Sequence, residues 1–180
     1  MIEINELSIS ELKLFTPKVY RDNRGFFSET FRKEHLVQVG ITCEFVQENH
    51  SFSHKNVLRG MHWQAGQAKL IQVIVGTIFD VVVDIRPSSP TFREWLGIYL
   101  SDQRSQLFFI PDGFAHGFCV ISPIAHLIYK VSEYYDPKKE KQFSSLDPEI
   151  AIKWPLSNTI LSSRDLNAPS FQESVCESGL

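Results

Sequence analysis

Cysteine is scarce in this chain, with only Cys43, Cys119 and Cys176 in 180 residues. The number is odd and the spacing wide, so neither a disulfide framework nor a CxxC zinc pattern is present. Free thiols imply a reducing compartment, and the expected location is the cytoplasm. Positive charge is not concentrated either: Lys and Arg total 18 against 21 Asp and Glu, for a net charge of −3. Nucleic acid is therefore not expected as a partner, because it needs a basic face. A small anion held by a few placed cations remains compatible. Long apolar runs are missing, and none approaches the ~18 residues that span a bilayer. The opening MIEINELSISELKLF carries acidic residues and lacks the apolar stretch of a signal peptide. No membrane partner is expected. No repeat, low-complexity tract or Gly/Ser linker interrupts the chain, so residues 1–180 are expected to form one domain. A strand–Gly-rich-loop–helix unit is also absent, which excludes a P-loop and a dinucleotide fingerprint.

What is plentiful is phenylalanine, 14 in all, with β-branched and other aromatic residues crowding positions 41–135. The stretch KLIQVIVGTIFDVVVDI, residues 69–85, reads as two strands with a turn at Gly76-Thr77. Further strand-like runs lie at Val57–Gln64, Trp95–Leu100, Gln106–Ile110, His116–Ile121 and His126–Tyr135. Short strands spaced this closely point to an antiparallel all-β sandwich or barrel. Helix is confined to a short element at Lys33–Val39, ended by Gly40, and a weak pattern near the C-terminus.

Alternation along the strands assigns faces. Gln47, Asn49, Ser51 and Ser53 share one face, Glu48, His50 and Phe52 the other. A barrel lined by the first row would have a hydrogen-bonding wall. In FDVVVDI, Asp80, Val82 and Asp84 lie opposite Phe79, Val81, Val83 and Ile85. The two carboxylates form either a solvent-facing row or a polar lumen. Tyr129, Val131, Glu133 and Tyr135 also share a face, so two phenols converge on one cavity or serve as ordinary packing. Arg59 and His62 are three apart, which on a regular strand sets them on opposite faces. A bulge at Gly60 would re-aim one of them.

The densest cluster of chemistry-bearing residues is QENHSFSHKNVLRGMHWQ (47–64), with Lys69 close behind and IPDGFAHGF (110–118) far along the chain. Pro111, Gly113 and His116 match the PxGxxH of the second cupin motif. The first motif reads His62-Trp63-Gln64, without the HxH pair and its acidic companion. A metal needs several donors at ligand distance, so a cupin barrel with no metal is expected.

RDNRGFFSETF (21–31), the QxNxSxS and VLRGxHxQ stretches, KLIQVIVGTIFDVVVDIR, FIPDGFAHGF, YKVSEYYDP and DPEIAIKWP followed by SSRD occur in one colinear order. Together, from about residue 8 to 169, they resemble the dTDP-4-dehydrorhamnose 3,5-epimerase family. The resemblance implies an all-β, cupin-type jelly-roll barrel with short peripheral helices. It also implies a dTDP-4-keto-6-deoxyhexose substrate inverted at carbons 3 and 5. The C4 ketone acidifies both hydrogens, so a base on one face, an acid on the other and an enolate-stabilising group suffice, with no cofactor. His62 matches the family's base, and imidazole suits proton transfer near neutral pH. Asp165 matches the carboxylate that orients it. Lys69 matches the lysine beside the keto oxygen, and Tyr129 the acid on the opposite face. Arg59 matches a diphosphate-binding arginine. Arg24, Glu29, Gln47 and Asn49 match nucleotide contacts, and His116, Glu140 and Arg164 complete the substrate-binding set. Asp84 is expected to support the site from behind. Arg164 replaces a usual lysine, and Asn56 stands where the family commonly has glycine. In the family the Arg24/Glu29 segment reaches the neighbouring subunit, so a homodimer with exchanged strands is implied.

Bland alternatives stay open at this point. Lys69 can be a strand-edge surface lysine, Tyr129 a core aromatic, and Glu140 and Arg164 exposed charges. A related epimerase inverting a single centre, a metal-dependent cupin enzyme and a non-catalytic sugar-nucleotide-binding barrel are the rival functions.

Overall fold

The computed structural model describes residues 2–177. Its thirteen strands are β1 (Glu3–Asn5), β2 (Lys13–Thr16), β3 (Val19–Asp22), β4 (Gly25–Ser28), β5 (Gln47–His54), β6 (Leu58–Gln64), β7 (Lys69–Val75), β8 (Thr77–Asp84), β9 (Trp95–Ser101), β10 (Leu107–Ile110), β11 (Phe114–Val120), β12 (Ile124–Val131) and β13 (Glu140–Gln142) among the described residues. A six-stranded sheet runs β1-β2-β10-β7-β12-β5 and a five-stranded sheet runs β13-β6-β11-β8-β9. Strands β3 and β4 form a separate hairpin. The sheets are antiparallel, and from β5 to β13 successive strands alternate between them except for the β8–β9 pair, giving the expected all-β jelly roll.

Helices are short and peripheral. Helix α1 covers Lys33–Val37 and α2 covers Ser163–Leu166, and a π-type turn spans Gln172–Glu177. Helix α1 ends two residues before the expected Val39, yet Gly40 still closes it. At φ +80° this glycine takes the left-handed conformation that lets the chain leave a helix. Strand β12 stops at Val131, not at Tyr135, because its neighbours β5 and β7 begin at the residues paired with Val131. Asn56 joins β5 to β6 at φ +68°, a conformation that suits glycine and that asparagine tolerates better than most residues.

Three apolar layers follow from the alternation. Ile71, Val73, Leu127, Val82 and Phe118 pack between the sheets. The outer face of the five-stranded sheet buries Val81, Val83 and Met61 under Phe143, Ile150 and Phe171 from the C-terminal segment. Helix α1 and the following residues cover Phe15, Leu70 and Phe109 on part of the other sheet. Strand β8 is thus covered on both faces, which explains its unbroken run of valines. Each fully buried aliphatic side chain there contributes roughly 1.5–3 kcal/mol. Asp80 and Asp84 are both completely buried, so the solvent-facing reading of that row is overturned.

Candidate active site

Between the sheets, the apolar core gives way to a cavity of about 450 Å³. Strand β6 contributes its most irregular residues. His62 pairs with His116 and Arg59 with Phe118, so three steps on β6 match two on β11. The extra residue lies at Gly60-Met61, as expected of a bulge. Leu58 and Met61 consequently point outward into the core beneath the C-terminal segment, while Arg59 and His62 both line the cavity. Glycine is required at this offset. A Cβ on Gly60, at φ +126°, would sit 2.6 Å from the Gly117 Cα.

His62 Nε2 lies 2.6 Å from Asp165 Oδ1, across 103 residues of sequence. Asp165 is carried by α2, whose N-cap Ser162 accepts from the Asp165 N–H at 3.0 Å. The same hydroxyl donates to Asp165 Oδ2 at 2.9 Å. Burial works to raise the Asp165 pKa. Hydrogen bonds from His62 and Ser162 and the charge of Arg164 outweigh it and hold the carboxyl below its ordinary value. A carboxylate fixed in this way orients an imidazole and stabilises its cationic form.

Tyr129 enters from the opposite wall. It sits on β12 of the six-stranded sheet, whereas His62 belongs to the five-stranded sheet, and both side chains line the same cavity. Burial and the nearby Glu140 raise the phenol's pKa, against an opposing effect from Arg59. The group therefore keeps its proton at neutral pH. Lys69 begins β7 and is 9% exposed, so it is no surface lysine. Desolvation lowers its pKa to about 8, opposed by the charges of Glu140, Asp80 and Asp112. Its Nζ donates to the His62 carbonyl at 3.3 Å.

The hydrogen-bonding row of β5 faces inward as expected, with Gln47, Asn49 and Ser51 on the cavity wall. Arg59 Nε donates to Ser53 Oγ at 3.0 Å. His116 Nε2 contacts both oxygens of the buried Asp80. Glu140 and Arg164 are partners, with Arg164 Nη1 2.5 Å from Glu140 Oε2; both line the cavity, Glu140 largely buried and Arg164 with 47% of its side chain exposed. The cavity thus holds Arg59, Lys69 and Arg164 in one space, a set suited to an anionic ligand. Among the described residues, no three His, Cys, Asp or Glu side chains form a group able to hold a metal ion.

Three expected residues lie elsewhere. Asp84 does not support the cavity. Its carboxylate accepts from Arg86, Ser89 and Thr91 at 2.6–2.8 Å. Four residues of strand separate it from Asp80 by about 13 Å, so only Asp80 reaches the level of the site. Arg24 and Glu29 are outside the cavity of their own chain. Arg24 is exposed on the β3–β4 hairpin and pairs with Asp22; Glu29 pairs with Arg32. Conversely, Gln64, Gln67 and Tyr135 also line the cavity. Gln64 shares a strand face with His62, and that alternation was the available signal.

Comparison with known proteins agrees with this geometry. The family model for dTDP-4-dehydrorhamnose 3,5-epimerase matches residues 6–173. A dTDP-4-dehydrorhamnose 3,5-epimerase from Shigella flexneri is 44% identical over 174 residues, covering 94% of this chain and 96% of the relative. A dTDP-4-dehydrorhamnose 3-epimerase from Streptomyces niveus is 37% identical, covering 93% of this chain and 83% of its own length. The crystal structure of a dTDP-6-deoxy-D-glucose-3,5-epimerase from Legionella pneumophila Philadelphia 1, in complex with dTDP-4-keto-L-rhamnose, superposes with a TM-score of 0.92. It is 46% identical, and the match covers 96% of this chain and 94% of that one. With a jelly roll, a His–carboxylate pair facing a phenol, and matches over nearly the whole length, this chain belongs to the dTDP-4-dehydrorhamnose 3,5-epimerase family.

Proposed function

We infer that this chain is an isomerase converting dTDP-4-dehydro-6-deoxyglucose to dTDP-4-dehydrorhamnose, working as one catalytic domain. The observation that carries this reading is the placement of the His62–Asp165 pair and Tyr129 on opposite sheets around one cavity. His62 removes the proton alpha to the C4 ketone, and Asp165 stabilises the resulting imidazolium. Negative charge develops on the keto oxygen, where the Lys69 ammonium favours the enolate over the neutral ketone. Tyr129 returns a proton from the other side, which inverts the carbon. The ketone is already present in the substrate, so the steps need no hydride transfer. Arg59 and Arg164 hold the diphosphate, with Gln47, Asn49, His116 and Glu140 as further substrate contacts.

The β3–β4 hairpin supports a homodimer with exchanged strands. It exposes Tyr20, Phe26 and Phe27 beside Arg24, whose side chain is 85% exposed. Aromatic faces and a guanidinium suit a nucleotide, and Arg24 and Glu29 complete the partner's cavity in this reading. The free thiols Cys43 and Cys119 fit a cytoplasmic location.

Incubation with dTDP-4-keto-6-deoxyglucose in deuterated water tests the assignment. Deuterium at both carbons, with inverted configuration, is the expected result. The Streptomyces niveus relative bears the name of a 3-epimerase, and label at one carbon would assign this chain to that narrower activity. No label at either carbon would overturn the reading.

A further inference from the structure

Three glutamines on the cavity wall are each hydrogen-bonded to main chain of one neighbouring segment. Gln64 Nε2 donates to the Tyr134 carbonyl at 3.0 Å, and its Oε1 accepts from the Asp136 N–H at 2.9 Å. Gln47 Oε1 accepts from the Tyr135 N–H at 3.0 Å, and Gln67 Nε2 donates to the Glu133 carbonyl at 3.0 Å. All of these bonds converge on the segment that follows β12, which has no strand partners of its own. Gln64 is the most deeply placed anchor, 4% exposed, and grips the backbone on both sides of Tyr135.

A closed ring of contacts results. Gln64 lies opposite Glu140 in the β6–β13 ladder. The Tyr135 hydroxyl donates to Glu140 Oε2 at 3.2 Å, and the Tyr135 main chain is clasped by Gln64 and Gln47. Tyr135, half exposed, thus forms a cavity wall fixed from both sheets. Gln64 is two residues from His62 on the same strand, so one short piece of backbone sets the base and the tyrosine wall together. A double inversion requires the once-inverted sugar to stay in place for a second proton removal. A wall held by side-chain amides is suited to retaining it.

We propose that Gln64 is a positioning residue: it holds Tyr135 across the cavity and so determines how often a once-inverted sugar is retained for the second inversion. This rests on the epimerase reading above. Gln64→Met has a similar shape and loses both hydrogen bonds. Gln64→Glu keeps the acceptor for Asp136 but, when ionised, cannot donate to Tyr134.

The measurement is the ratio of doubly to singly deuterated sugar formed in deuterated water. Taken at initial rate, before released sugar rebinds, this ratio does not depend on how much enzyme is folded. Gln64→Met is expected to lower it about fivefold to tenfold, the worth of about one net hydrogen bond, with Gln64→Glu in between. Tyr135→Ala should lower the ratio similarly, and adding it to Gln64→Met should cause little further change. An unchanged ratio in Gln64→Met would overturn the proposal. Independent, additive effects of the two substitutions would overturn it as well. Absence of any label with the unaltered enzyme would instead remove the epimerase reading itself.

Discussion

His116 Nε2 faces both carboxylate oxygens of Asp80, at 3.1 and 2.9 Å, directly across the ladder from His62. Two imidazoles, each backed by a carboxylate, therefore stand side by side. Burial holds the Asp80 carboxyl above its usual range, opposed by His116 and Lys69. Asp80→Asn keeps the shape and removes the charge. Loss of one charge-assisted hydrogen bond predicts a fall in kcat/KM of about tenfold or more, measured by steady-state turnover. An unchanged value would mean that His116 needs no anion behind it.

Removing the base and removing the acid should have different effects. His62→Ala is expected to abolish deuterium uptake at both carbons, a loss of at least about 10²-fold. Thymidine diphosphate affinity, read by calorimetry, should stay close to that of the unaltered enzyme. Tyr129→Phe should still exchange hydrogen through His62 while product formation falls. Should exchange vanish together with product, Tyr129 acts at an earlier step.

Activity should decline on the alkaline side as Lys69 loses its proton. Its pKa, lowered to about 8 by burial, makes the ammonium predominate below that pH and the neutral amine above it. kcat measured across a pH series is expected to fall through about pH 8. In Lys69→Arg the guanidinium stays charged, and that limb should disappear from the measured range. A profile that is flat through pH 8 in the unaltered enzyme would remove the ammonium from the rate-limiting step.

Acid stability has a separate source. Burial acts to raise the Asp84 carboxyl, yet hydrogen bonds from Arg86, Ser89 and Thr91 bring it down to about 2 from 3.8. The folded value is depressed, so the stabilisation is complete above the unfolded value and is lost as pH falls through the folded one. Its size is on the order of 2 kcal/mol. Asp84→Asn should therefore lower unfolding free energy in urea at pH 6 and differ little from the unaltered protein near pH 2. Equal stability at pH 6 would count against the network.

Subunit exchange tests the hairpin. If Arg24 serves the partner's cavity, Arg24→Ala and His62→Ala proteins are each impaired, but their heterodimer carries one intact site. Co-refolding equal amounts should restore about a quarter of the full activity by random pairing in a twofold dimer. No recovery, with heterodimers verified by mass, would place Arg24 and His62 in the same chain's site.

The inward row of β5 and the strand boundaries around Gly76 were legible because a half-buried strand writes its two faces directly into the sequence. The bulge at Gly60 was legible as well, from the conflict between Arg59 and His62. Asp80 and Asp84 were harder. Alternation fixes that they share a face but not how far along the strand the cavity extends, and Asp84 fell beyond it. Alternation alone also left open whether that face met solvent, because its cover is the opposing sheet, whose Ile71, Val73 and Leu127 pack with Val82. Gln64 and Gln67 carry no titration or charge signal, and their partners are backbone groups with no identity in sequence. Arg24 and Glu29 were legible through family likeness alone; within their own chain they meet local partners, Asp22 for Arg24 and Arg32 and His35 for Glu29.

The offset in β6 has a bearing on substrate economy. The guanidinium of Arg59 and the imidazole of His62 ride on one short, rigid stretch, wedged where Gly60 touches Gly117. Whatever grips the first is registered against the second. A bare ketohexose, stripped of its nucleotide tail, would drift relative to the proton acceptor, and its handicap would show in turnover at saturation as well as in affinity.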